Sequence, residues 1–223
     1  MKRFQLLITI VVLLWGMSGV VRAEDTDTRP MWGVKAAVDL NLPGKWRSDD
    51  YSIKMYRHGF GVNVGAVCNV YLGKDFYFEP GMSLFYDTYS YSKFVVSGEG
   101  GNIVESDPSL YKVGLRVPVI FGRMFDFSEK FAMTVFTGPE ISYAFAGGIN
   151  AKNKEIFGEG GLKLFGKEHG CQRRVDCAWK AGIGFPTGDW YVSLDVAFGL
   201  TDMLKGDISF YENRCSLGDT RYF

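Results

Sequence analysis

The stretch that decides the fold runs from Arg173 to Thr201 and reads RRVDCAWKAGIGF, PTGD and WYVSLDVAFGLT. On both sides of the central PTGD turn every second residue is apolar, from Val175 to Leu200, and most of the residues between them are charged or small. A period of two predicts strands, because successive side chains point to opposite faces of a pleated backbone. The stretch therefore predicts a hairpin with one apolar face and one mixed face.

The same alternation returns in six further segments, which are residues 31–41, 59–72, 76–87, 110–124, 131–145 and 213–223. Each is close to or above the ~9–11 residues that a tilted strand needs to cross a bilayer. Long polar loops alternate with connections of about four to six residues. This asymmetry is typical of membrane barrels with long loops outside and both termini periplasmic. We predict an all-β fold, an eight-stranded antiparallel up-and-down transmembrane β-barrel.

The N-terminus has the layout of a secretory signal peptide. Lys2 and Arg3 precede an apolar run that ends at Val21, and Val21-Arg22-Ala23 provides a cleavage site. A transmembrane anchor would need ~20 apolar residues, more than this run contains. We predict a signal peptide at residues 1–23 and a barrel domain at residues 24–223, exported to the cell outer membrane of a Gram-negative bacterium.

The charge balance argues against a nucleic-acid partner. The whole chain has 25 basic and 25 acidic residues, and cleavage would remove three of the bases, Lys2, Arg3 and Arg22. The mature chain is then slightly acidic, whereas binding to phosphate backbones needs a basic patch.

The inward face of the predicted barrel carries a balanced set of charges. The acids are Asp39, Glu79, Asp87, Glu140, Asp176 and Asp195, and the bases are Lys35, Lys112, Arg116, Arg174, Lys180 and Arg214. Unpaired buried charge is costly, so equal numbers suit a closed, ion-paired interior. Eight strands enclose a space that side chains just fill, which predicts a polar plug rather than an open channel. In a soluble sheet these charges would be solvated, and the apolar face would need another layer to cover it.

The four cysteines do not define a site. Cys68, Cys177 and Cys215 fall on apolar faces of strands that are not neighbours, and Cys171 lies in a loop. We interpret them as small apolar residues plus one loop thiol, with a Cys171–Cys177 bridge as the open alternative. Their spacing fits no zinc motif.

The sequence offers little chemistry for catalysis. His58 and His169 both fall in predicted outer loops, and Asp49, Asp50 and His58 could only imitate a base and its carboxylate partners. We predict no enzymatic activity, no cofactor and no metal.

Four short blocks resemble a known family of Gram-negative bacteria. They are Phe78-Glu79-Pro80-Gly81, Leu115-Arg116-Val117-Pro118, Thr137-Gly138-Pro139, and Arg174-Val175-Asp176 through Gly182-Ile183-Gly184-Phe185. In order and spacing, residues 30–223 resemble the outer-membrane, PorT-like "porin family", which is related in architecture to the OmpA and OmpX barrels. The resemblance implies β-bulges at Pro80, Pro118 and Pro139, since proline removes a ladder donor.

The resemblance also implies a C-terminal strand that the barrel assembly machinery recognises. Phe223 and Leu217 fit its alternating pattern, but Asp219 and Arg221 fall on the lipid-facing register. Either a bulge turns Tyr222 outward, or these charges lie at the periplasmic interface, where their cost is small.

Together these features predict a small, monomeric integral outer-membrane barrel protein with outer-membrane lipid as its surroundings. Its role would be structural or in surface interaction, through long extracellular loops whose ligand the sequence does not identify. Two alternatives stay open: a narrow porin-like channel for small solutes, and a soluble periplasmic ligand-binding β-barrel.

Overall fold

A computed structural model describes residues 30–48, 52–54, 56–90, 94–97, 103–106, 109–128, 131–150, 162–165, 172–188, 190–204 and 207–223. The predicted signal peptide lies outside these residues, as do Asp49, Asp50, His169 and Cys171.

Eight long strands make up the fold. They are β1 (Met31–Pro43), β2 (Gly59–Gly73), β3 (Phe76–Ser90), β4 (Ser109–Ser128), β5 (Phe131–Asn150), β6 (Val175–Thr187), β7 (Trp190–Gly199) and β8 (Glu212–Tyr222). The sequence pattern located all eight, but β3, β4 and β5 extend further into the regions predicted as loops.

The sheet is closed. Each strand pairs antiparallel with the strands before and after it in the chain, and β1 pairs with β8, for example Ala37 with Gly218. The predicted eight-stranded antiparallel up-and-down barrel is therefore confirmed. Within the described residues, no helix is long and apolar enough to cross a membrane.

The two ends of the barrel differ. Connections of only two residues join β2 to β3, β4 to β5 and β6 to β7, and we call this end of the barrel the turn end. At the first of these turns Lys74 and Asp75 have φ of 51° and 67°, the left-handed pair of a type I′ hairpin turn. The four long connections emerge at the opposite, loop end.

The loops are more ordered than the sequence predicted. Short hairpins pair Trp46–Arg47 with Ser52–Ile53 and Phe94–Ser97 with Ile103–Ser106, and Leu162–Lys163 adds to the edge of β5. The alternation pattern did not show these hairpins, because strands of two to four residues are too short to establish a period.

The predicted bulges at the prolines are also wrong. The pairing of β3 with β4 has the same register at Pro80 and beyond it at Ser83, and β5 pairs with β6 in one register through Pro139. The register of β4 against β5 is likewise unchanged on either side of Pro118. A proline removes a single donor, and here the ladder tolerates that loss without inserting a residue. The register shifts fall elsewhere, between Tyr71 and Gly73, Val113 and Gly114, and Asp126 and Ser128.

The two faces of the barrel have opposite chemistry. Apolar side chains point outward and stay exposed, for instance Phe60 at 66% and Leu194 at 47%. Charged side chains point inward and are buried, among them Asp39 at 1% and Arg116 at 3%. The apolar series of the quoted hairpin thus forms part of the outer face of the closed sheet, and the alternating mixed series forms part of its inner face.

The C-terminal strand keeps its alternation to the end. β8 pairs with β1 and β7 without a register shift, so Tyr222 points inward and Asp219 and Arg221 point outward. Of the two alternatives for this strand, the bulge is wrong.

Candidate functional site

The middle of the barrel interior holds a ring of polar side chains, which we call the waist network. Every strand contributes one member, and in strand order they are Asp39, Asn63, Asp87, Arg116, Glu140, Lys180, Asp195 and Arg214. All but Asn63 were among the predicted interior charges.

Arg116 lies at the centre of this network. Its Nη1 donates to Asp39 Oδ2 at 2.7 Å, its Nη2 donates to Asp87, and its Nε lies 4.0 Å from Glu140 Oε1. Its guanidinium also stacks on the Phe85 ring, 4.2 Å from the centroid. A planar guanidinium can contact several carboxylates at once, so this one side chain ties four strands together.

The other half of the network is organised around Glu140. Arg214 Nη2 donates to Glu140, and Lys180 Nζ lies 3.7 Å from Glu140 Oε2 and 3.0 Å from Asp195 Oδ1. Arg214 also approaches Asp39 Oδ1 at 3.9 Å. The charges therefore form one connected set across the barrel rather than isolated pairs.

Between the waist network and the loop end lies a further ion pair, of which the sequence pattern predicted only one member. Lys112 Nζ donates to Glu212, and Tyr89 Oη donates to Glu212 Oε2 at 3.0 Å. The predicted strand begins at Asn213, one residue after Glu212. Continuing the inward alternation one step before Arg214 would have found Glu212.

Arg174 lies at the loop-end rim of the interior, where it lines one cavity together with Asp176 and Glu212. It is exposed and donates to the backbone oxygens of Ala144, at 3.1 Å, and Phe145, at 2.5 Å, while its guanidinium lies over the Phe165 ring. Among the described residues it joins none of the ion pairs of the waist network, because β6 begins at Val175 and strand alternation does not govern the side chain before it.

The acid–base balance of the interior changes accordingly. With the exposed Arg174 left out and Glu212 included, the described inward residues comprise seven carboxylates and five cations. Asp176 is the inward acid whose Oδ1 is buried without a hydrogen-bond partner and for which the described residues provide no ion pair. The predicted equality of six and six does not hold.

Below the waist, the interior is filled by hydroxyl groups. Tyr222 Oη donates to Glu79, and Asn69 Nδ2 donates to Glu79 Oε2 at 3.4 Å. The hydroxyls of Tyr77 and Tyr191 lie 3.4 Å apart, and that of Tyr191 lies 2.5 Å from Thr134 Oγ1.

Two glycines make room for these rings. A Cβ on Gly122 would lie 2.2 Å from the Tyr77 ring, and one on Gly184 would lie 2.0 Å from the Tyr191 hydroxyl. Lys35, half-buried, lines a small cavity together with Glu79.

At the loop end the interior becomes apolar. Segments of three long connections fold over the mouth and bury Tyr56, Leu164 and Phe210 to 1% exposure or less. We call this cluster the cap, and its members are Tyr56, Phe85, Tyr89, Leu110, Ala144, Leu164, Phe165, Met203, Leu204 and Phe210. Within it Gln172 Nε2 donates to the Tyr56 hydroxyl at 3.1 Å. No signal in the alternation pattern pointed to the cap, because most of these residues lie in or beside loops.

The interior cavities are small. One of about 30 Å³ lies between the waist network and the cap, lined by Asn41, Asp87, Lys112, Asp176 and Glu212 among others, and one of about 20 Å³ lies towards the turn end. Each holds roughly one or two water molecules. Among the residues that the structure describes, no group of histidine, cysteine or acidic side chains could hold a metal ion. His58 is exposed at the loop end, beside Phe60.

Comparison with known proteins finds likeness at the level of structure. No family model and no curated protein matches the chain, so its resemblance to the porin family stays a prediction. Neisserial surface protein A is similar with 15% identity and a TM-score of 0.48, over 86% of this chain and 97% of that chain.

Two further solved structures are similar. The attachment invasion locus protein Ail of Yersinia pestis, in complex with the heparin analogue sucrose octasulfate, shows 14% identity and a TM-score of 0.39, over 87% of this chain and 99% of that one. The N-terminal β-barrel domain of Pseudomonas aeruginosa OprF shows 11% identity and a TM-score of 0.29, over 85% and 97%. By its own strand count, closure and up-and-down order, this chain has the architecture of the small OmpA- and OmpX-type barrels.

Proposed function

We propose that this chain is an integral outer-membrane protein, a plugged barrel that serves a structural or surface-interaction role through its loop end. The observation that carries the proposal is that the barrel is apolar outside and charged inside, the reverse of a water-soluble protein. Exposed apolar side chains surround the outside, while paired charges occupy the inside. A barrel in water would bury the apolar face instead, whereas lipid solvates it.

The outer face also has the banding expected of a membrane barrel. Aromatic rings meet across neighbouring strands near the turn end, with Phe78 4.9 Å from Phe121 and Phe131 6.1 Å from Phe185. Near the loop end Tyr86 lies 6.4 Å from Tyr111. Aromatic girdles of this kind mark the two interfaces of a bilayer.

The lengths of the strands support a loop end that projects from the membrane. β4 and β5 have 20 residues each, about twice the ~9–11 that a tilted strand needs to cross. Part of the surplus lies at the loop end, where residues 144–150 of β5 extend past the start of β6 and the cap packs inside the barrel. We therefore propose that this end presents a folded surface, and not only flexible loops, to the cell exterior.

The filled interior supports a plugged barrel rather than a narrow channel. The waist network, the hydroxyl groups below it and the cap above it occupy successive levels, and the two cavities described above, which lie between them, are small. If the protein were a narrow channel, liposomes that contain the folded protein would show solute flux. We expect no flux above that of protein-free liposomes, and measurable flux would replace the plug with the channel.

Nothing among the described residues supports a reaction, and we propose a non-enzymatic role. In the described part of the chain, closure pairs each of the eight long strands with a neighbour on both sides, which supports a monomer.

The proposal is tested by locating the protein and charging its outer face. We expect the protein in the outer-membrane fraction, with gel migration that changes on heating, as folded barrels show. Leu194→Lys places a charge on the middle of the outer face and should cost ~2–4 kcal/mol of insertion, with loss of the heat-modifiable band. Leu200→Lys, at the loop end, is the matched control and should cost ~1 kcal/mol or less.

A protein that stays in the soluble fraction without detergent would overturn the membrane proposal and favour the periplasmic ligand-binding barrel. Equal tolerance of both lysines would do the same, because only lipid makes the cost depend on depth.

A further inference from the structure

The cavity between the waist network and the cap, which we call the loop-side chamber, gathers buried polar groups that lack partners. Asn41 and Asp87 line it and are 1% and 3% exposed. In the described part of the chain, Asn41 Nδ2 and Asp87 Oδ1 have no hydrogen-bond partner. The same holds for Arg116 Nε and Asp176 Oδ1, whose residues also line the chamber.

The cavity towards the turn end differs in this respect. Among the described residues that line it, Arg116, which borders both cavities, is the one with such an unpartnered side-chain atom. The unpartnered groups are therefore concentrated at the loop-side chamber rather than spread through the interior.

The four groups come from four strands and have complementary chemistry. Asn41 lies on β1, Asp87 on β3, Arg116 on β4 and Asp176 on β6. The amide and guanidinium nitrogens are donors, and the two carboxylate oxygens are acceptors. A buried polar group without a partner is costly, and in native structures nearly all of them are hydrogen-bonded to protein or to ordered water.

The size and the charges of the chamber select its occupant. A volume of about 30 Å³ has room for about two water molecules. A cation would suit the two carboxylates alone, and Lys112, Arg116 and Arg214 line the same space. An anion would suit the donors alone and would meet Asp87 and Asp176. Water both donates and accepts, so it fits all four groups at once.

We propose that the loop-side chamber binds about two water molecules, which accept from Asn41 Nδ2 and Arg116 Nε and donate to Asp87 and Asp176. Asp176, for which the described residues provide no ion pair, then joins the waist network through solvent. The chamber lies inside the closed sheet, so the proposal goes beyond the role of the loop end and does not depend on lipid.

Solid-state NMR on the protein in phosphatidylcholine vesicles tests the site directly. Magnetisation that starts on water protons reaches only those nitrogen atoms that lie close to water. We expect transfer to Asn41 Nδ2, although Asn41 is 1% exposed, and none to Trp179 Nε1, which donates to Thr137 Oγ1 on the outer face. Absence of transfer to Asn41 Nδ2 would overturn the proposal. Transfer to Trp179 Nε1 would instead contradict the membrane placement, and the Asn41 signal would still decide the chamber.

A variant that fills the chamber provides the second test. Ala178 lines the chamber and is 6% exposed, and Ala178→Val adds two methyl groups there. We expect loss of the transfer to Asn41 Nδ2 and a midpoint of thermal unfolding lower by roughly 2–4 °C, because the polar groups lose their partners. A higher midpoint would show that the chamber was an empty void, and retained transfer would locate the water elsewhere; either result would overturn the proposal.

Ala37→Val is the matched control. Ala37 is also buried, at 7% exposure, but it lines neither of the two cavities. It receives the same two methyl groups and should retain the transfer to Asn41 Nδ2. Loss of transfer in this variant as well would mean that the signal does not report on the chamber, and the proposal would fall.

A change of salt separates water from a cation. The midpoint of thermal unfolding should be the same in sodium chloride and in choline chloride of equal concentration, because choline is too large for the chamber and water occupies it in both. A higher midpoint in sodium chloride would identify a cation as the occupant and overturn the proposal.

Discussion

The waist network and the cap fill the same barrel with opposite chemistry. At the waist each strand contributes a polar side chain, and Arg116 and Glu140 join carboxylates and cations across the interior. At the loop end the same cylinder is filled by rings and aliphatic side chains, with Leu164 completely buried. The waist lies where an apolar face is turned outward, and the cap lies at the loop end. In the membrane placement proposed above, the polar interior would lie at the level of the lipid and the hydrophobic core where the barrel emerges into water.

The largest effect is expected from the centre of the waist network. Arg116→Met leaves Asp39 and Asp87 buried without their main cation and should lower the free energy of unfolding by ~3–5 kcal/mol. Urea titration in phospholipid vesicles, followed by tryptophan fluorescence, measures it. Arg173→Met, an exposed arginine at the loop end, is the control and should change stability by less than about 0.5 kcal/mol. Equal effects would mean that the network contributes nothing beyond a surface charge.

A substitution in the cap should unfold the cap alone, whereas a substitution in the waist network should destabilise the whole barrel. Phe210→Ala removes a ring that is 1% exposed and should destabilise the cap by roughly 3 kcal/mol. We expect faster hydrogen exchange in residues 203–204 and 207–210, while the heat-modifiable band of the barrel is retained. Tyr211→Ala, the exposed neighbour, should change little. Loss of the folded band in Phe210→Ala would show that cap and waist are one cooperative unit.

Lys112 and Glu212 lie between the waist network and the cap, and variants at these two positions test how strongly the two side chains are coupled. Glu212→Gln leaves Lys112 without its carboxylate and should cost roughly 1–3 kcal/mol. Adding Lys112→Met should recover part of that loss, since the double variant buries no unpaired charge. Urea unfolding of both single variants and the double variant gives the coupling energy. Strict additivity would argue that the two side chains do not interact.

The smallest effect is expected at Asp176, for which the described residues provide no ion pair. Asp176→Asn should leave stability unchanged or raise it by about 1 kcal/mol, because a buried unpaired charge is removed. Asp195→Asn is the matched comparison and should destabilise, since Asp195 lies 3.0 Å from Lys180. If both variants lose equal stability, Asp176 is an equal member of the network.

The prediction from sequence succeeded where physical rules are local. Val175 to Leu200 alternates without interruption, and every described member of its apolar series proved to face outward. It was less informative next to the strand ends. Arg174 lies one residue before β6 and turns to backbone oxygens, and Glu212 begins β8 where a loop was expected. Alternation depends on a strand already being formed, so it is least informative at the boundaries, where both residues lie.

The sequence by itself determined the number of strands, their antiparallel order and which side chains point inward, because a pleated backbone has a period of two and short turns force neighbours together. Only the tertiary structure decided which charges meet. Arg116 and Asp39 are 77 residues apart, and their contact depends on the tilt and stagger with which the sheet closes. The same holds for the cap, whose rings come together only after closure places three loops over one mouth. Pairing across a barrel is a property of its closed geometry, which no single strand contains.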